Sequence, residues 1–305
     1  MNIKTQRPPH LTLKKHSKSE HSLSSQPMLK LIRYIVIFFL LFSFTKAYSQ
    51  EKESLPYTKK GQFYFYWGYN WSSYTGSDIH FRGSDHDFTL YDVVAHDRPS
   101  KFTLETYFNI FNFSAPQFST RFGYFIKDNW ELSLGMDHMK YVAKQLQNTT
   151  ITGWIEEDST TTTYNNDDIR LLYSFLQYEH TDGLNYINLG LRRTTNIINK
   201  GKFDLNLIAG FESGIIMPRS DVTLLGKDRS DRYHLSGYGL NLVGAINFTF
   251  FEKYFFQAEL KGGYVNMPKV LTSFEGDIAS QDFFFSQTNI SFGGYFPLFR
   301  RKVKD

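Results

Sequence analysis

His234-Leu235-Ser236 is the one pairing of an imidazole with a hydroxyl in this chain that reads as a catalytic signature. Two residues apart on a strand, the two side chains point the same way, with the parity of the apolar Leu240 and Leu242. A His and a Ser at a strand rim that only hydrogen-bond would show the same spacing. A second candidate chemistry lies in SDIHFRGSDHDFTLYDVVAHDRP, where His80, His86 and His96 stand among Asp78, Asp85, Asp87, Asp92 and Asp97. Imidazole with carboxylate suits zinc, nickel or copper, and carboxylate clusters suit calcium. The spacing of His80, His86, His96, Asp85 and Asp87 matches no ligand motif, and polar side chains belong in exposed loops anyway. No metal or other cofactor is expected. Gly237-Tyr238-Gly239 falls inside a strand pattern and cannot cradle a phosphate.

These residues must be positioned by strands. In GQFYFYWGYNW, residues 61–71, Phe63, Phe65, Trp67, Tyr69 and Trp71 fall on one face, with Gln62, Tyr64, Tyr66, Gly68 and Asn70 on the other. A period of two is the strand period. The same alternation predicts eight strands, at about 61–72, 117–126, 130–142, 184–197, 202–217, 234–250, 254–268 and 282–299. Helix-period patterns are missing, and no later segment reaches 18 consecutive apolar residues. Short turns at 127–129, 199–201 and 251–253 alternate with long links at roughly 73–116, 143–183, 218–233 and 269–281. The first link is long for a structureless loop, so strand extensions or a lid are expected there. All six histidines beyond the leader map to the long links or the strand ends beside them.

The N-terminus carries a leader. Lys30 and Arg33 precede an apolar run from Tyr34 to Phe44, and Ala47-Tyr48-Ser49 is a small-x-small cleavage site, the pattern of a secretory signal peptide. Residues 1–49 hold eight of the 34 Lys and Arg and one of the 30 Asp and Glu, which leaves 26 basic against 29 acidic residues. The basic balance belongs to the leader, and nucleic-acid binding loses its support. With no cysteine, disulfides, thiol catalysis and Cys-ligated zinc are excluded.

On the polar parity lie Arg121, Glu131, Asp137, Arg192, Asp204, Glu212, Glu259 and Lys261. The opposite parity is oily on every strand. A ring of eight strands has room inside for side chains only, so the charges are expected to form a structural ion-pair network, with a narrow ion path as the alternative. Arg121 and Glu131 flank the 127–129 turn and are expected to face each other. Aromatic residues crowd the strand ends, as interfacial girdles do, and the chain closes on SFGGYFPLF.

That terminal strand and the alternation of short turns with long loops resemble eight-stranded Gram-negative outer-membrane barrels of the OmpA-domain and OmpX type. The resemblance implies an all-β fold, an antiparallel up-and-down transmembrane β-barrel with long extracellular loops. The implied organisation is a basic extension (1–27), signal peptide (28–49), short periplasmic segment (50–60), barrel (61–299) and tail (300–305). It further implies a monomer in the outer membrane, partnered by lipids including lipopolysaccharide and by the assembly machinery. A structural or surface-interaction role would be carried by the loops. His234-x-Ser236 is also similar to the arrangement in lipid A 3-O-deacylases, where Ser attacks an ester, His takes its proton and a Glu orients the His. Here Glu252 lies at the opposite end and Glu259 faces inward, so the third group is missing and no enzyme is expected. An esterase and a small-solute or metal uptake barrel are the alternatives.

Overall fold

The computed structural model describes residues 59–101, 103, 116–227 and 232–297. The expected signal peptide and the chain end at Leu298 and Phe299 lie outside the described residues. Among the described residues there are fourteen strands: β1 (Gln62–Tyr74), β2 (Ser77–Arg82), β3 (His86–Val93), β4 (Ala95–His96), β5 (Phe118–Lys127), β6 (Trp130–Ala143), β7 (Asn148–Glu157), β8 (Thr160–Arg170), β9 (Leu176–Lys200), β10 (Phe203–Pro218), β11 (Asp221–Leu224), β12 (Gly237–Phe250), β13 (Tyr254–Leu271) and β14 (Ile278–Pro297).

Eight of them close a hydrogen-bonded ring. The antiparallel order is β1-β5-β6-β9-β10-β12-β13-β14, and β14 returns to β1 from Gln62↔Pro297 to Tyr74↔Phe285. These are the eight segments that the period-two pattern predicts. Tight connections close one end: Asp128-Asn129 joins β5 to β6, and Gly201-Lys202 joins β9 to β10. Phe251 and Glu252 turn β12 into β13 with φ of 54° and 58°, a left-handed pair that matches strand twist. The long links are themselves β-structure. β14 pairs with β2, which continues through β3 and β7 to β8, while β11 and β4 add to β9 and β6.

The ring wears its apolar side outward. Phe122, Leu132, Leu134, Leu189, Phe211, Ile246, Leu260 and Ile290 are exposed, Leu189 to 68%. Inside, the filling changes with height. At the short-turn end Tyr64, Tyr66, Phe125, Phe255 and Tyr295 pack together, and Lys59 Nζ sits 4.7 Å from the Tyr295 ring centroid. Above them lies an ionic layer. Arg192 donates through Nη1 to Glu259 (2.8 Å) and through Nε to Glu212 (2.9 Å), and Arg121 pairs with Glu212 at 2.9 Å. Lys261 reaches Asp137 at 2.8 Å, and the Tyr66 hydroxyl donates to Glu259 at 2.7 Å. The far end is filled by a second, apolar cluster that includes Ile79, Phe81, Phe88, Leu90, Met139, Tyr141, Tyr178, Val265 and Phe283. The ring strands β6, β9, β13 and β14 supply one part of this cap and the link strands β2, β3, β7 and β11 the other.

Two expectations need correction. Arg121 does not face Glu131: its backbone partner is Gly135, while Glu131 stands opposite Phe125 and accepts from the Tyr64 hydroxyl at 2.8 Å. A Cβ at position 135 would come within 2.4 Å of Arg121 Nη2, so the glycine leaves the guanidinium its room. Asp204 is buried but stands apart from the ion pairs, and its Oδ1 has no hydrogen-bond partner among the described residues.

Removing one partner from a fully buried pair leaves an uncompensated charge, which costs about 3–5 kcal/mol. Glu212→Ala and Arg192→Ala are therefore expected to lower thermal stability well below that of Leu207→Ala, whose side chain lies on the outward parity. Thermal unfolding of the three variants checks this. Equal losses would mean that the ionic layer is hydrated rather than dry.

Candidate functional site

The histidine-rich link splits between separate places. His80 Nε2 and Asp87 Oδ1 pair at 2.7 Å across the β2–β3 hairpin. His96 lies exposed in β4, with backbone pairing to Val142, and joins neither group. Asp85 and His86 come together at the tip of that hairpin, Oδ1 to Nδ1, at 2.7 Å. Asp277, from the turn before β14, completes a set whose ligand atoms all lie within 4.8 Å of one another. Two further link carboxylates brace backbone: Asp78 accepts from Asp92 N–H at 2.9 Å, and Asp97 accepts from Ser72 N–H at 2.8 Å. Such Asp residues need no ligand to explain them.

Asp85, His86 and Asp277 offer the donor types of a divalent-cation site. Their charge is already countered from within the chain. Lys227 Nζ donates to Asp85 Oδ1 at 2.7 Å and to Asp277 Oδ2 at 2.8 Å. The ammonium thus clamps the β2–β3 tip, the segment after β11 and the β13–β14 turn over the apolar cap. Sequence reasoning missed Lys227 and Asp277 because Lys227 is 142 positions from Asp85 and 50 from Asp277.

The other candidate is a real contact. Ser236 Oγ lies 2.7 Å from His234 Nε2. The same nitrogen accepts the Leu271 N–H at 3.0 Å, and Nδ1 lies 3.2 Å from the Arg232 carbonyl. That pattern fixes the neutral tautomer with its proton on Nδ1 and leaves Nε2 shared between two donors. Ser236 is only 2% exposed. Glu259, the inward carboxylate, is taken by Arg192. His138 lies in the link-side half of β6 on the outward parity, opposite Phe118 at the start of β5, and is bonded through Nδ1 to Asn185 Oδ1 at 2.8 Å.

Burial pushes the Asp85 carboxyl up, but Lys227 and His86 outweigh it and hold the group below its ordinary range. Burial pulls the Lys227 ammonium down, and the Asp277 and Asp85 carboxylates outweigh that and raise it. A depressed carboxyl stabilises above its ordinary value of 3.8 and loses that contribution as pH falls; a raised ammonium stabilises below 10.5 and loses it as pH rises. The clamp is therefore full between these values. Protection from hydrogen exchange in 272–277, relative to the intrinsic rate at each pH, is expected to fall below about pH 4, and Lys227→Met should reproduce that loss of protection at neutral pH. Unchanged exchange in the variant would remove the clamp.

Comparison with known proteins gives only distant likenesses. No family model and no curated protein matches the chain. Among solved structures, the attachment invasion locus protein Ail of Yersinia pestis aligns over 78% of this chain and 99% of its own, at 10% identity and a TM-score of 0.29. The outer membrane protein AlkL, solved in lipid bilayers, aligns over 83% and 97% at 9% identity, with a TM-score of 0.38. The outer membrane protease OmpT from Escherichia coli aligns over 79% and 99% at 9% identity, with a TM-score of 0.23. At this level the likeness carries no statement about activity.

Proposed function

We propose that the chain is an outer-membrane barrel whose ring crosses the bilayer and whose β-structured cap stands at the cell surface as an interaction module without enzymatic activity. The observation that carries this reading is the inverted wall: apolar side chains face outward around the ring while charged and carboxamide side chains fill its middle. A water-soluble barrel has the opposite arrangement, because apolar surface left in water is unfavourable by roughly 25 cal/mol per Å². In a bilayer the closed ring also meets the demand that every backbone polar group be paired internally. A filled interior argues for a structural barrel rather than an uptake path: aromatic rings, an ionic layer and an apolar cap follow one another along it. The implied partners are outer-leaflet lipids, lipopolysaccharide included, and the machinery that inserts barrels.

Topology is directly testable, since the native chain lacks cysteine. Ser159→Cys, at the tip of the β7–β8 hairpin, should react with a membrane-impermeant maleimide on intact cells. Asn129→Cys, in a short turn, should react only after lysis. The reverse pattern would invert the reading.

The esterase reading has one observation in its favour, the 2.7 Å contact of Ser236 with His234. Against it stand the competing Leu271 N–H, a carbonyl in place of an orienting carboxylate, and the burial of the hydroxyl. Removing the orienting carboxylate from a triad costs about 10⁴ in kcat. Purified protein is expected to leave lipid A unchanged by mass spectrometry, with Ser236→Ala matching the wild type in stability. Loss of an acyl chain that requires both Ser236 and His234 would overturn the non-enzymatic proposal.

A further inference from the structure

The β7–β8 hairpin forms the outermost part of the cap sheet, and its outward face is unlike the rest of the molecule. Asp158 and Ser159, with φ of 50° and 61°, make its two-residue turn. Ile151 and Ile155 of β7 point into the apolar core, which turns Thr152, Trp154 and Glu156 outward. The register sets Trp154 beside Thr163 and Glu156 beside Thr161 on β8. Together these side chains line a shallow, solvent-open recess on the face of the sheet. Among the described residues, no other ring packs on Trp154. The Thr161 and Thr163 hydroxyls and the Glu156 carboxylate have no hydrogen-bond partner there either. Gly153 beneath holds φ at 130°, and a Cβ at that position would meet the Asp87 carbonyl oxygen at 2.2 Å, so the strands approach closely under the indole.

One aromatic plane, two free hydroxyls and one free carboxylate within a single recess suit a ligand with an apolar face and a hydroxylated rim. We propose that this recess is a carbohydrate site that seats one neutral sugar ring of a glycan chain. The C–H face of the sugar lies on Trp154, as amphipathic aromatic surfaces favour. Its hydroxyls exchange hydrogen bonds with Glu156, which only accepts, and with Thr161 and Thr163, which donate or accept. Charge selects against acidic glycans. Residues 148–170 carry five carboxylates (Glu156, Glu157, Asp158, Asp167 and Asp168) against a single cation, Arg170. Trp154 is flanked across the sheet by Asp87, already held by His80. A sulfated or phosphorylated saccharide meets like charge there.

The inference rests on display of the cap at the cell surface, and its test is separable from the test of that display. The full chain in lipid nanodiscs is titrated with maltohexaose, cellohexaose and chitohexaose, with a heparin-derived hexasaccharide as the acidic control. Saturation-transfer NMR and calorimetry give the readout. At least one neutral oligosaccharide should bind, with little dependence on salt. Trp154→Ala should weaken it about tenfold or more, Thr163→Val should weaken it less, and Trp154→Phe should retain most of it. Since Trp154 faces outward, unchanged thermal unfolding of the variants separates lost binding from lost folding. Absence of binding to all three neutral probes at millimolar concentration would overturn the proposal. So would binding that survives Trp154→Ala, or tighter, salt-sensitive binding of the heparin fragment. Maleimide labelling of Ser159→Cys on intact cells can succeed while the titration fails, and the reverse.

Discussion

Arg192 has no route to water, and the interior of the ring is arranged around that fact. Its guanidinium holds Glu212 of β10 and Glu259 of β13 from its own place on β9. Glu212 in turn takes Arg121 of β5, and Lys261 links Asp137 of β6 into the same layer. Five ring strands are thus joined through their side chains as well as through the backbone. Because an ion pair of this kind is weak evidence for net stability but strong evidence for a required partner, the layer acts mainly on geometry. It fixes which strand heights meet. Any slip by one residue would send these charges to the apolar side and bring oily residues in.

The layer also divides two packing regimes. Below it, aromatic rings fill the taper toward the short turns. Above it, the ring strands outgrow the ring and become one wall of a second core, whose other wall comes from the links. The cap is therefore an extension of the same sheet, closed by a lysine that bridges two distant aspartates. A fold of this kind places its polar chemistry at loop junctions and on outer sheet faces, where variation leaves the ring intact.

How much of this was legible follows from the range of each signal. Strand identity and facing were readable because the period of two is local: Phe65 and Trp67 against Tyr64 and Tyr66 needs no partner strand. The inward charges were readable for the same reason. Their pairings were not, since Arg121 chose Glu212, far away in sequence, over the nearby Glu131, and only the closed ring makes them neighbours. The cap was legible only in part. Strand extensions or a lid were expected in the first link, where Ile79 and Leu90 lie in β2 and β3, but the stacking of these side chains with Ile151 and Val222 as a core was not. Asp85 and His86 were visible as a pair of metal-binding types, but the lysine that neutralises them was not. His234 and Ser236 were read as neighbours on one strand face, but both precede β12 and Ser236 is buried; the Leu271 N–H that shares their contact comes from β13.

The length of β9 has a mechanical meaning. Twenty-five residues in one strand extend about 80 Å at the usual rise. A tilt of about 40° turns this into roughly 60 Å of height. An apolar belt occupies about 25 Å of that, which leaves a stand-off of some 35 Å. On the membrane reading, the cap is a mast rather than a tether. Its working surface is held at a set altitude above the lipid headgroups, and the entropy of a flexible stalk is not spent each time something lands on it.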